Sequence, residues 1–330
     1  MKQFLSLLLV TFLVSAASAV DKTNDSLVTP PSPSPAASPM FEQGRLDRVL
    51  SLHNPMLKGE ITTYYTPGYE KRAREVQRFL TEELKSSRKQ LHFDLALTLA
   101  VLDSKQYPQV EHQTPYPAPS VTGDPPVALM PVNWTDGVDV LPKETDAGVE
   151  VKRQVAAHGM SWRDASQCAY DLWGGHELGH AVIDAYGIEA GTRWLNEMLA
   201  SFVLYAYLQA EGRDRLWLLD VLEAGCQIDR PQEHVSLDDF ESQYLKLASE
   251  DPHKYLWYQG QLFEQIKKIY ARHGVNFLQQ IRQAFPEGKY KFATLGNAET
   301  LRRLDAIDSV FSAWAASLAK FPRKPSSSNN

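Results

Sequence analysis

Asp171-Leu-Trp-Gly-Gly-His176-Glu177-Leu-Gly-His180-Ala-Val-Ile-Asp184 is the stretch from which the rest of the chain is best read. Residues four apart on an α-helix project from one face about one turn, roughly 6 Å, apart. His176 and His180 can therefore converge on one divalent ion, and Glu177 would face that ion without ligating it. A carboxylate so placed can take a proton from water. Between Ala169 and Ile183 the only charged or imidazole side chains are Asp171, His176, Glu177 and His180, and the remainder suits a buried helix. Such groups are costly in apolar surroundings unless paired or coordinated. The plainer alternative is two core histidines hydrogen-bonded to their neighbours.

The helix is predicted to start near Ser161, where Ser-Trp-Arg-Asp resembles a capping box, and to stop near Gly187. Gly174-Gly175 weakens it by about 2 kcal/mol relative to alanine at both positions. Such a pair marks a close approach, either of substrate or of a packed helix.

Downstream, Arg193-Trp-Leu-Asn-Glu197-Met-Leu-Ala-Ser-Phe-Val-Leu-Tyr-Ala-Tyr-Leu208 is an apolar run of helical length, and Glu197 is its single charge after Arg193. A lone carboxylate there needs a partner, which an ion already held by two His would supply. Residues 181 to 196 are enough to end one helix at Gly187, turn through Gly191 and start a second helix packed on the first. Two His and one Glu leave a fourth coordination position open, the arrangement of catalytic rather than structural zinc.

These residues carry a family resemblance. His176-Glu-Leu-Gly-His180-Ala-Val-Ile-Asp184 resembles the active-site helix of thermolysin-like peptidases, and Trp194-Leu-Asn-Glu197 resembles the third-ligand helix of gluzincin aminopeptidases. The resemblance implies a gluzincin zinc metallopeptidase, with zinc held by His176, His180 and Glu197 and with Glu177 as general base. It also implies an α+β, zincin-like fold: a small mixed sheet, then the active-site helix and a mainly helical C-terminal part. The chain departs from the family in three places. The gap before Glu197 is shorter than usual, Ser201 stands where an Asp supporting a ligand would be expected, and the Gly-Ala-Met-Glu-Asn segment that reads a free N-terminus is missing, which argues against exopeptidase action. A metzincin is excluded because positions 183 and 186 are Ile and Tyr rather than Gly and His. Tyr258-Gln-Gly260 is similar, one residue tighter, to the segment whose Tyr donates to the oxyanion in gluzincin aminopeptidases. Tyr258 is thus the candidate donor, with Tyr255, His234, His253 and His273 as rivals. Packing of Tyr255, Trp257 and Tyr258 in the core is the ordinary alternative.

The flanking sequence sets the context. Met1 to Ala19, one Lys before an apolar run and Ala17-Ser-Ala19, reads as a secretory signal peptide, so the mature chain is expected to be secreted or periplasmic. Residues 20–40 are rich in Pro and Ser and read as a linker, and 321–330 as a tail. Between them, 41–160 is expected to hold the small sheet and 161–320 the helical zinc-site part. No later stretch is long and apolar enough to span a membrane. A net charge of −6 and a pI near 5.9 argue against nucleic acid or an anionic membrane as partner, and the resemblance implies a peptide or protein substrate. Cys168 and Cys226 form one bridge or remain two thiols, and Asn133-Trp-Thr has the form of a glycosylation acceptor.

Before the metal motif, 60–64 reads as a strand, 70–90 as an amphipathic helix, and 91–102 as a strand with a helix from Asp94 as its rival. A Pro-rich loop, 107–126, and a strand, 127–132, follow, the latter placed at a sheet edge because of Pro131. After Gly225 helices are expected from Ser236, from Asp251-Pro252 to about Arg272, and over 275–285. The function these readings support is exported, zinc-dependent peptide hydrolysis with Glu177 as base. The alternatives are an inactive zincin-fold module that binds peptide or serves structure, and a zinc hydrolase of a non-peptide amide.

Overall fold

Apolar side chains at helical spacing, Ala73, Val76, Phe79, Leu80 and Leu84, build the first long helix, and their burial turns it against a sheet. The computed structural model describes residues 44–112, 117–134, 144, 145, 147–226, 235–288 and 295–320. The expected signal peptide, linker and tail lie outside these residues, as do His234 and Thr135 of the glycosylation motif.

In chain order, the first part comprises α1 (Arg45–Ser51), β1 (Met56–Leu57), β2 (Thr62–Tyr65), α2 (Glu70–Leu91), β3 (Thr98–Leu102), α3 (Tyr107–Val110), β4 (Ser120–Thr122) and β5 (Val127–Pro131). The sheet order is β1-β2-β3-β5-β4. The three central strands are parallel, with Tyr64 opposite Ala100 and Ala100 opposite Leu129, while β1 and β4 run antiparallel at the two edges. Every residue of β5 is buried, as expected where helices cover both faces of parallel strands. One face meets α2 and the helices that follow. The other forms a smaller cluster in which Val49 of α1 and Tyr107 and Val110 of α3 pack on Ala100, Leu102, Val127 and Leu129.

Three expectations for this part are corrected. The strand expected over 91–102 begins only at Thr98, and no helix forms from Asp94. His92 takes a left-handed φ of 55° that turns the chain out of α2, and Phe93 and Leu95 then pack on the core without joining the ladder. The Pro-rich loop contains α3, with a Pro in its first turn, and the edge strand β4. Strand β5 is interior rather than an edge. Pro131 is tolerated there because the ladder with β4 ends at Leu129, and on the other side the N–H of Val132 donates to Leu102.

The second part is helical: α4 (Val149–Ala157), α5 (Trp162–Tyr186), α6 (Arg193–Ala210), a 3-10 turn (Arg213–Arg215), α7 (Leu218–Cys226), α8 (Leu237–Glu250), α9 (Pro252–His273), α10 (Asn276–Ala284), α11 (Asn297–Asp305) and α12 (Phe311–Lys320). Helix α8 starts with a full capping box between Ser236 and Asp239, and α9 with the Asp251 carboxylate accepting from the Lys254 N–H. One hydrophobic core runs from Leu57 in β1 through α2, α5, α6 and α9 to Leu318 in α12, so the sheet and the helical part are packed around a common interior. The chain is therefore α+β. Among the described residues no helix is long and apolar enough to cross a membrane. Cys168 is a half-buried free thiol, and the side chain of Cys226 lies outside the described residues.

Candidate metal centre

Helix α5 has the ends its sequence predicts. The Ser161 hydroxyl accepts the Asp164 N–H at 3.1 Å and itself donates to the Asp164 carboxylate at 2.6 Å. Gly187, at φ 80°, closes the other end with the N–H groups of Gly187 and Ile188 on the carbonyls of Asp184 and Ile183. Asp171 is satisfied by two hydrogen bonds from the Arg72 guanidinium, 2.6 and 2.5 Å, and one from Trp134 Nε1 at 2.9 Å. This ties α5 to α2 and to the end of β5.

The two glycines before His176 are explained by packing, not by substrate. A Cβ on Gly174 would lie 2.5 Å from Met130 Sδ, and one on Gly175 would lie 2.5 Å from Glu83 Oε2 and 2.8 Å from Leu204. Gly179, inside the motif, lies directly against the backbone of Ala200 in α6. That close helix approach brings Glu197 opposite the two histidines.

His176 Nε2 is 3.3 Å from Glu197 Oε2 and His180 Nε2 is 3.8 Å from Glu197 Oε1, and one ligand atom from each of the three lies within 4.8 Å of the others. The site is deeply buried: His176 is 3 % exposed, Glu177 2 %, His180 5 % and Glu197 2 %. Both imidazoles are held from behind. His176 Nδ1 is 2.8 Å from the Ser201 hydroxyl, and His180 Nδ1 is 3.0 Å from the side-chain amide of Asn196. Turning Nε2 toward an ion puts the proton on Nδ1, so Ser201 Oγ accepts it, and Asn196 must present its amide oxygen, which exchanges the two ends of the amide in place. Ser201 thus does the work for which the resemblance would place an Asp.

Glu197 accepts from Tyr244 at 2.6 Å, Tyr255 at 3.0 Å and Gln259 at 2.9 Å, and Gln259 also donates to the Tyr255 oxygen at 2.8 Å. Burial alone would raise its pKa, but the adjacent imidazoles and the Tyr244 hydroxyl outweigh it and hold the carboxyl at about 2. Burial, helped by the proximity of His176, pulls His180 down to about 4. Glu197 is thus held anionic and His180 neutral, the states a metal requires of its ligands, whereas at His176 the Glu197 carboxylate outweighs burial and raises the pKa, so that an ion binding there would displace a proton. His176 Nε2 and His180 Nε2 both face the Glu197 carboxylate, and two N donors with one O donor are a donor set that suits zinc. On these grounds the residues fit the ion.

Glu177 lies near this cluster, close enough for its carboxyl to interact with His176 and Glu197. The backbone N–H of Val121, in β4, faces its carboxyl and favours the charged form, while Oε1 has no hydrogen-bond partner. Burial, only partly offset by the nearby imidazole, pushes its pKa up to about 7.

The structure thus brings together His176, His180, Glu197 and Glu177 and leaves Tyr258 out. Tyr258 donates to the Ser236 carbonyl at 2.9 Å, and its ring packs edge-on against Phe240 and Trp257. The reason is helical phase: Tyr255 and Gln259, four apart on α9, share the face turned to α6, whereas Tyr258 projects toward the start of α8. The Tyr258 hydroxyl, the candidate oxyanion donor, is thus engaged by a main-chain carbonyl. Tyr255 is at the site, but its hydroxyl is committed to Glu197. His253 is exposed in the first turn of α9, and His273, at its far end, lies 2.9 Å from Asp308. Sequence reasoning missed Tyr244, Gln259 and Asn196. The four-residue spacing of Tyr255 and Gln259 could have found one of these, and the place of Asn196 directly before a ligand another. Comparison of the chain with protein-family models, curated proteins and solved structures finds no match.

Proposed function

We propose that the chain is an exported zinc-dependent peptidase of gluzincin type with a zincin-like fold. The observation that supports it most is the convergence of His176, His180 and Glu197, carried by two helices, with Glu177 beside them. Bound there, zinc would polarise a scissile carbonyl and acidify water. Glu177 accepts the proton: its Oε1 is unpartnered and its carboxylate is buried beside the residues that would hold the ion. Ser201 and Asn196 hold the imidazoles, and Tyr244, Tyr255 and Gln259 hold Glu197, so the donor set is fixed before an ion arrives.

The burial of all four residues favours a second reading, since a closed site is what a structural metal in an inactive peptide-binding module would have. Cleavage profiling of the purified, zinc-loaded chain on an unbiased peptide library separates the two. Cleavage that disappears in Glu177→Gln supports the peptidase. A chain that holds zinc and cleaves no peptide supports the module, and turnover restricted to non-peptide amides would move the assignment to a different hydrolase.

A further inference from the structure

We infer that the buried pair Arg45–Glu111 is a positioning device for Glu177 and acts through the edge strand β4. The inference rests on the proposed reading only in treating Glu177 as the base. Arg45 opens α1 and Glu111 follows α3, both remote in sequence from the metal motif. Arg45 Nη1 donates to the Ser120 hydroxyl at 3.1 Å and to the Val127 carbonyl at 3.2 Å, and Nη2 donates to Glu111. The Ser120 hydroxyl donates in turn to Glu111 at 3.4 Å. All three side chains are buried.

Ser120 is thereby gripped by a cation and an anion together. The peptide plane that leaves it carries the Val121 N–H, which faces the Glu177 carboxyl where β4 packs on α5. Strand β4 has three residues and only β5 for a ladder partner, so its own pairing fixes that plane weakly. Arg45 adds what the ladder lacks by bridging β4 at Ser120 to β5 at Val127. Stability alone does not account for the pair, since apolar residues of similar volume commonly replace a buried ion pair at no cost to folding. What apolar residues cannot do is hold a hydroxyl and a carbonyl at fixed points on two strands.

The test is hydrogen exchange of the Val121 amide, read by NMR in the zinc-loaded full chain, which needs no activity. The double variant Arg45→Met/Glu111→Met removes both charges and leaves neither orphaned. Its Val121 amide should exchange at least about tenfold faster, the order of one lost hydrogen bond, with zinc content and the amides of α5 and α6 unchanged. Ser120→Ala, which keeps the ion pair and removes only the gripped hydroxyl, should move the same amide and serves if the double variant does not fold. On any peptide the wild type cleaves, kcat should fall by a similar factor with KM nearly constant. A wild type without peptidase activity removes the kinetic arm and leaves the exchange arm to decide. Unchanged Val121 protection in the double variant, or in Ser120→Ala where the double variant is unfolded, overturns the inference.

Discussion

The hydroxyl of Ser201 lies 2.8 Å from Nδ1 of His176, one turn along α6 from the carboxylate that completes the donor set. A neutral hydroxyl fixes the tautomer and orientation of the ring but contributes less basicity than a carboxylate would. Ser201→Ala is expected to lower zinc affinity by roughly 10- to 100-fold, the usual cost of losing the partner behind a metal-ligating imidazole. Competition with a chromophoric chelator measures this. Wild-type affinity in the variant would mean that the hydroxyl does not hold the ring.

Glu177→Gln should retain zinc and fold while hydrolysis falls by several orders of magnitude, since the amide is nearly isosteric but cannot take a proton from water. His176→Ala, His180→Ala and Glu197→Ala should each lose most of the zinc instead. Metal analysis beside a peptide assay distinguishes the two patterns, and near-normal turnover by the zinc-loaded Glu177→Gln chain would point to another base.

The tyrosines divide by what their hydroxyls touch. Tyr258→Phe should leave kcat unchanged and cost about 1 kcal/mol of stability, the worth of its bond to the Ser236 carbonyl. Tyr244→Phe and Tyr255→Phe each remove a donor from Glu197 and should weaken zinc binding. Loss of kcat in Tyr258→Phe with normal zinc would return that residue to the site.

How much of this was legible in the sequence follows from the range of each interaction. The ends of α5 are local chemistry, a serine hydroxyl on an amide three residues on and a glycine able to take positive φ, and both were readable to the residue. The clustering of His176, His180 and Glu197 was readable because charges isolated in apolar helices demand partners. The face that Tyr258 presents was not readable, because a one-residue difference in spacing rotates a side chain by about 100° around a helix. Only the packing of α9 on α6 and α8 decides which face looks inward. Tyr244 reaches Glu197 from a third helix, and the Val121 N–H reaches Glu177 from a three-residue edge strand hidden in a Pro-rich segment. Neither contact leaves a periodic trace.

A last expectation concerns pH. Asp184 sits in the final turn of α5, where the helix dipole disfavours a negative charge, and burial, with Glu287 nearby, raises its pKa from 3.8 to about 7. A carboxyl whose folded pKa exceeds its unfolded value stabilises the fold while protonated: its contribution is fully present below 3.8, declines above that and is gone once the pH has passed about 7. Asp184→Asn keeps the shape and removes the titration. Its Tm should exceed that of the wild type at pH 8, and the difference should shrink steadily on acidification and nearly vanish by pH 4. Other buried carboxyls titrate alike in both chains, so the difference between the two curves isolates this one. Parallel curves across the whole range would show that Asp184 is ionised in the fold throughout, and hence that it faces water or a cation.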